Sequence, residues 1–247
     1  MSCRVAIIAA MERELKPLIR GWALNILTAG GKPLVCYENR DTVAVFSGMG
    51  NKRAEQAARA VVERYRPQIL VSAGVAGALI RSLKVGNVVL PNVIVDGATG
   101  IEYRCAVGGQ VIGGGVLVST FEIAGKASKA ELVECFHALL VDMEAAGVAK
   151  VAMEKEVGFR CVKAISDEYD FAMPPLGRFV GPDGNFQTGA FARWVAVRPQ
   201  YWAATLALGR NTRRAVRALC DWLGKNLDGL QAAKVVTLDG EFSNGRH

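Results

Sequence analysis

The sequence predicts an α/β protein whose mixed or parallel sheet is covered by helices on both faces. Short apolar runs of strand length recur at Val5 to Ala10, Ile69 to Ser72 and Phe159 to Ile165. A helical pattern stands between the first two, at Lys52 to Tyr65, where Ala54, Ala57, Ala58, Val61 and Val62 make one apolar face. Small-residue or acidic stretches join strand to helix repeatedly. The 247 residues can bury a sizeable core, and we read residues 1–247 as a single domain with an enlarged C-terminal segment from about residue 171.

Met11 to Arg20 reads as a helix with Glu12 and Glu14 in its first turn and Gly21 as its stop. Leu34 to Tyr37 and Thr42 to Phe46 read as a hairpin across Glu38-Asn39-Arg40-Asp41. Ser47-Gly48-Met49-Gly50 is a loop leading into the Lys52 helix, and Ala73-Gly74-Val75-Ala76-Gly77 is a turn closing the Ile69 strand. Val85 to Val95 and Gln110 to Val118 supply further strand, and Phe121 to Cys135 mixes loop and helix. The apolar run Ala138 to Val141 hands over at Asp142-Met143-Glu144 to a helix from Ala145 through Val157. Asp142 can cap that helix, and Glu144 falls in its first turn, where the dipole favours negative charge. Phe171 to Gly189, rich in Pro and Gly, reads as a long irregular loop. Two helices follow, one with Pro199 near its first turn and a last one from Asn211 to Asn226, and the tail from Gln231 reads as weakly ordered.

Composition excludes several classes. Half the residues (51%) are hydrophobic and 21% are charged, the balance of a folded globular chain. No apolar run approaches the roughly 18 residues of a membrane span, and the N-terminus lacks a signal-peptide layout. Six cysteines stand at positions 3, 36, 105, 135, 161 and 220 without a Cys-x-x-Cys, which fits a reducing cytoplasm. With only His137 and His247 for imidazole ligands, no metal site is expected. The net charge of +7 concentrates late, in Arg193, Arg198, Arg210, Arg213, Arg214 and Arg217. No recognition motif accompanies these arginines, so nucleic acid is not expected as a partner. A solvated helix face, a peripheral membrane contact or a phosphate-bearing ligand remain as readings of this patch.

Four turns after strand ends could converge on one cleft, because ligands of open α/β sheets bind outside the carboxyl ends of strands. They are Met11-Glu12-Arg13-Glu14, Ser47-Gly48-Met49-Gly50, Gly74-Val75-Ala76-Gly77 and Ser166-Asp167. The glycines match neither a phosphate-binding Walker loop nor a dinucleotide fingerprint, and no cofactor is expected. Taken one at a time, Glu14 also reads as a solvated first-turn acid, Asp167 as a turn former and Phe121 as ordinary core.

Taken together, Ala9-Ala10-Met11-Glu12-Arg13-Glu14, Ser47-Gly48-Met49-Gly50, Gly74-Val75-Ala76-Gly77, Val141-Asp142-Met143-Glu144-Ala145-Ala146 and Ala164-Ile165-Ser166-Asp167 resemble, in this order, the purine nucleoside phosphorylase and nucleosidase superfamily. The resemblance is strongest to the methylthioadenosine/S-adenosylhomocysteine nucleosidases and covers roughly residues 4–170. It implies a three-layer α/β/α domain with a mixed, partly barrel-like sheet. It also implies cleavage of the N-glycosidic bond of an adenine nucleoside, releasing adenine, by a homo-oligomer whose neighbouring subunit completes the pocket. Tyr103 is a candidate for that contribution.

The resemblance assigns roles residue by residue. Asp167 would protonate or hydrogen-bond N7 of the leaving purine, steadied by Ser166. Glu144 would hold the ribose hydroxyls with Met143 packing below it. Glu14, rather than Glu12, would orient the attacking water. Phe121 would stack on adenine and Met11 would line the ribosyl pocket. An acid on the base side and carboxylates near an oxocarbenium-like sugar are what breaking C1′–N9 requires.

Two features depart from the nucleosidases. Lys163 stands where those enzymes often carry an arginine, and the chain after Asp167 is longer than theirs. Asp170-Phe171-Ala172-Met173-Pro174-Pro175 and Arg198-Pro199 look more like the hopanoid-associated phosphorylases, which act on adenosylhopane. A lipid-linked adenosine cleaved by phosphate is therefore the alternative reading, although a carboxylate at the nucleophile position suits water and repels phosphate.

Overall fold

The computed structural model describes residues 3–105, 114–181, 184 and 186–231. Residues 110–113 of the expected Gln110 strand, residues 182, 183 and 185 of the expected loop, and the tail beyond Gln231 lie outside the described residues.

Among the described residues, eleven strands form one mixed sheet. They are β1 (Val5–Ala9), β2 (Ala23–Ala29), β3 (Lys32–Asn39), β4 (Thr42–Phe46), β5 (Ile69–Ala78), β6 (Val88–Val89), β7 (Val93–Asp96), β8 (Glu102–Arg104), β9 (Val116–Ser119), β10 (Ala138–Asp142) and β11 (Gly158–Asp167). The helices are α1 (Glu12–Leu15), α2 (Asn51–Tyr65), α3 (Lys126–Phe136), α4 (Ala145–Glu154), α5 (Thr188–Ala196) and α6 (Trp202–Gln231).

Strand β5 is the hub. Its first half runs parallel to β1, its whole length runs parallel to β11, and its last residues pair antiparallel with β10. Gly77 therefore lies in register with Val141 of β10 and with Asp167 of β11. Here the sheet turns away from β1 and continues through β10, β9, β7 and β8. Every residue of β11 is buried, as a strand covered on both faces requires.

One face is covered by α2 and α4, whose Ala57, Ala58, Val148 and Ala149 join the core under Leu70 and Ile165. The other is covered by α6, whose Ala215, Leu219 and Leu223 pack with Ile7, Val71 and Val162. The arginines of α6 at positions 210, 214 and 217 are exposed, on the outer face of an amphipathic helix, and Arg213, also exposed, borders the cavity at the strand ends. Among the described residues no helix is long and apolar enough to cross a membrane.

Several boundaries differ from expectation. The expected helix to Arg20 is helical only to Leu15, because Pro17 has no N–H to continue the ladder and the chain proceeds in turns to Gly21. Strand β2 was not expected; it is an edge strand whose Leu24 and Ile26 face solvent, so it carries no buried-strand signature. The described residues of the Phe171 to Gly189 segment hold a 3-10 turn at Leu176–Phe179 and a bridge between Val180 and Phe186, and Phe179 and Phe186 join Phe191 and Trp194 of α5 in an aromatic cluster. The last helix starts at Trp202, nine residues before Asn211, because no proline interrupts Trp202 to Asn226 and the apolar face on the sheet carries the helix through Gly209 and Gly224.

The stretch expected as a turn, Gly74 to Gly77, is the second half of β5. Its glycines serve close packing. A Cβ on Gly74 would stand 3.3 Å from Glu14 Oε2 and 3.7 Å from Lys163 Nζ, and one on Gly77 would stand 2.9 Å from Asp167 Oδ2. The missing side chains are the space that these charged groups occupy.

Candidate active site

The carboxyl ends of β1, β5, β10 and β11 open into a cavity of about 610 Å³, within the range of small-ligand sites. Of the seven residues singled out from the sequence, Met11, Glu14, Met143, Glu144, Ser166 and Asp167 line it. Phe121 does not. It is 88% exposed, because the chain bends after Thr120, whose Oγ1 donates to the Glu122 carbonyl at 2.7 Å, and Ile123 and Ala124 face the cavity in its place. Tyr103 is buried within its own chain, beside Ile94 and Leu117, so it is not placed to complete a neighbour's pocket.

Glu14 sits where β1 passes into α1. The Met11 N–H donates to its Oε2 at 3.2 Å, and the Glu14 N–H donates to the Met11 carbonyl at 3.0 Å, a short reciprocal turn that aims the carboxylate inward. Glu12, two residues earlier, is exposed. Burial raises the Glu14 carboxyl above its ordinary range, opposed by the charge of Lys163.

Glu144 stands at the junction of β10 and α4. The N–H of Gly50, which starts α2 with a φ of 103° that suits glycine, donates to its Oε1 at 3.0 Å. That approach depends on Gly147: a Cβ there would lie 2.1 Å from the Asn51 carbonyl oxygen, so only glycine lets the two helix starts abut. Burial, Asp142 and Glu14 push the Glu144 carboxyl up to about 8, opposed by Lys163.

Asp142 has the capping role expected of it, accepting from the Ala145 N–H at 3.0 Å through Oδ2. The same oxygen holds Lys163 Nζ at 2.7 Å, with both side chains shut off from solvent. Burial acts against the Lys163 charge, yet Asp142, Cys161 and Glu144 together hold its pKa above the ordinary lysine value. Lys163 thus keeps a fixed positive charge beneath the two glutamates.

Asp167 ends β11. Its Oδ1 accepts from Ser166 Oγ at 2.9 Å, and its Oδ2 accepts from Lys129 Nζ at 2.6 Å. Lys129 was not anticipated from the sequence. It stands on α3 among ordinary helix formers, and nothing in Gly125-Lys126-Ala127-Ser128-Lys129 separates it from Lys126. The far wall of the cavity comes from the C-terminal segment and includes Met173, Leu176, Phe186, Phe191 and Leu208, an apolar surface facing the acids.

The arrangement therefore offers one acid paired to an ammonium, two buried carboxylates around a lysine, and an apolar opposite wall. Such a site can stabilise a cationic centre between carboxylates while a basic leaving group is met from the Asp167 side.

A sequence profile described as the Phosphorylase superfamily matches residues 4–109. The chain is 25% identical over 199 residues to a 5'-methylthioadenosine/S-adenosylhomocysteine nucleosidase of Listeria monocytogenes, across 66% of this chain and 85% of that protein. Among solved structures, the nucleosidase of that name from Colwellia psychrerythraea in complex with adenine superposes with a TM-score of 0.69 at 18% identity, covering 96% of this chain and 99% of that one. The Helicobacter pylori nucleosidase with butyl-thio-DADMe-Immucillin-A gives 0.68 at 18% identity, covering 92% and 99%. The mixed α/β fold expected from the sequence is thus shared with these structures along nearly the whole described chain.

Proposed function

We propose that the protein is an enzyme that cleaves the N-glycosidic bond of an adenine nucleoside, of the methylthioadenosine or S-adenosylhomocysteine kind, by hydrolysis. The observation that carries this reading is the meeting of Glu14, Glu144 and Asp167, from three separate parts of the chain, around one cavity. The similarity to nucleosidases of that specificity supports it.

In this reading the purine lies towards Asp167 and the ribose towards Glu144. Asp167 and Ser166 hold the N7 side of the base, so that negative charge developing on the purine is met by a proton. Glu144 hydrogen-bonds the ribose hydroxyls, with Met143 and Met11 packing on the sugar, and it stabilises the oxocarbenium-like centre in its ionised form, which the cation developing beside it favours. Glu14 orients the attacking water and takes its proton. Acids at Glu14 and Glu144 suit the activation of a water better than the binding of a phosphate dianion. The apolar wall of Met173, Leu176 and Phe186 suits an apolar 5′ substituent.

Incubation with methylthioadenosine, with and without phosphate, tests the reading through free adenine and a free sugar. Ribose 1-phosphate as co-product would instead support the second reading, a phosphorylase of a lipid-linked adenosine. What favours that reading is the same apolar wall together with Arg13 and Arg213, which also line the cavity.

The proposal includes one domain for the whole chain, supported by the packing of α6 on β1, β5 and β11; truncation before residue 171 should then abolish folding. It also includes a cytoplasmic homo-oligomer. Exposed Phe121 and Ile101 support association of copies, and six unpaired cysteines support a reducing compartment. Light scattering and cell fractionation check these. A peripheral membrane contact would rest on exposed Val197, Trp202 and Leu206, and vesicle sedimentation checks it.

A further inference from the structure

Lys129 is 2% exposed, and its ammonium lies 2.6 Å from Asp167 Oδ2 and 3.1 Å from the Glu168 carbonyl oxygen. Its side chain also lines the cavity. Asp167 accepts a hydrogen bond at each carboxylate oxygen, from Ser166 and from Lys129. A charged ammonium has donors only, and a carboxylate accepting at both oxygens has no proton to give. An acid needed to protonate a leaving base is therefore held here as an acceptor, and the nearest proton belongs to Lys129.

We propose that Lys129 is the proton source for the leaving purine, with Asp167 as the relay between its ammonium and N7. The step balances. The C1′–N9 bond breaks with its electron pair going to the base. Lys129 gives one proton, through Asp167 Oδ2, to N7 and becomes a neutral amine. Water forms the new bond to C1′ and gives its proton to Glu14. Solvent returns the proton from Glu14 to Lys129 after the products leave. Its place on α3 lets the ammonium reach the carboxylate from the cavity side.

This inference rests on the nucleosidase reading, and one pair of variants tests it. Lys129→Met removes charge and proton together. Lys129→Arg keeps the buried charge but does not release its proton. Both are compared with wild type for adenine release from methylthioadenosine, after their thermal melts establish folding. Proton donation predicts that both lose about 10²-fold or more in kcat with KM within about threefold, the range for a general acid. Restoration of kcat by Lys129→Arg to within about tenfold of wild type would show that only the charge matters and would overturn the proposal. Loss confined to KM would do the same. If Lys129→Met fails to fold, Lys129→Arg decides alone. Wild-type protein that releases no adenine defeats the nucleosidase reading and this inference with it, whereas active wild type with an unimpaired arginine variant defeats this inference only.

Discussion

Lys163 Nζ lies 2.7 Å from Asp142 Oδ2, across the end of β5, and neither side chain reaches solvent. The pair links the strand that carries Asp167 to the strand that leads into Glu144, so the two halves of the candidate site are braced against each other. Asp142 simultaneously accepts from the first amide of α4.

Lys163→Met is therefore expected to be costly. It leaves the Asp142 charge buried without its cation, a loss of about 3–5 kcal/mol in systems of this kind. Chemical denaturation of wild type and variant checks it. A loss below about 1 kcal/mol would mean that the capping amide and Ser119 satisfy Asp142 alone.

Gly77→Ala tests the packing of the acid. The new Cβ would stand 2.9 Å from Asp167 Oδ2 and 3.3 Å from Val141 Cγ1, so the carboxylate must move. A displacement approaching 1 Å at a reacting group costs on the order of 10²-fold in rate. Steady-state kinetics of adenine release should show that loss in kcat while the melting temperature stays near wild type. An unchanged kcat would place Asp167 outside the chemistry.

Glu14, Glu144 and Asp167 were marked by the resemblance of five short motifs taken in order; an apolar run followed by a carboxylate is by itself also a helix start or a turn, and it does not separate Glu14 from Glu12. The rest depended on neighbours distant in sequence. Gly74 to Gly77 read as a turn because glycine punctuates turns and close-packed strands alike, and only the carboxylates lying over it decide between the two. Lys129 gave no signal because its partner is 38 residues away. Phe121 was misplaced because a bend after Thr120 turns its ring to solvent, which no spacing rule reports.

The raised Glu144 carboxyl makes stability depend on pH. Its pKa moves from an ordinary 4.5 to about 8 in the folded protein. Between those values the folded state binds a proton that the unfolded state does not, so this contribution is full below about pH 4.5 and is lost as pH rises through about 8. Glu144→Gln should flatten the fall in melting temperature across that window. Glu14 shifts in the same direction and remains in the variant, so some slope persists. Parallel curves for wild type and variant would show that Glu144 is ionised in the fold throughout.

The most direct measurement of the central claim is adenine release from methylthioadenosine by wild type and by Asp167→Asn, in phosphate-free buffer. The predicted result is one free adenine and one free sugar per nucleoside for wild type, with a loss of about 10²-fold or more in the variant. No adenine from wild type, or an Asp167→Asn variant as fast as wild type, would contradict the account.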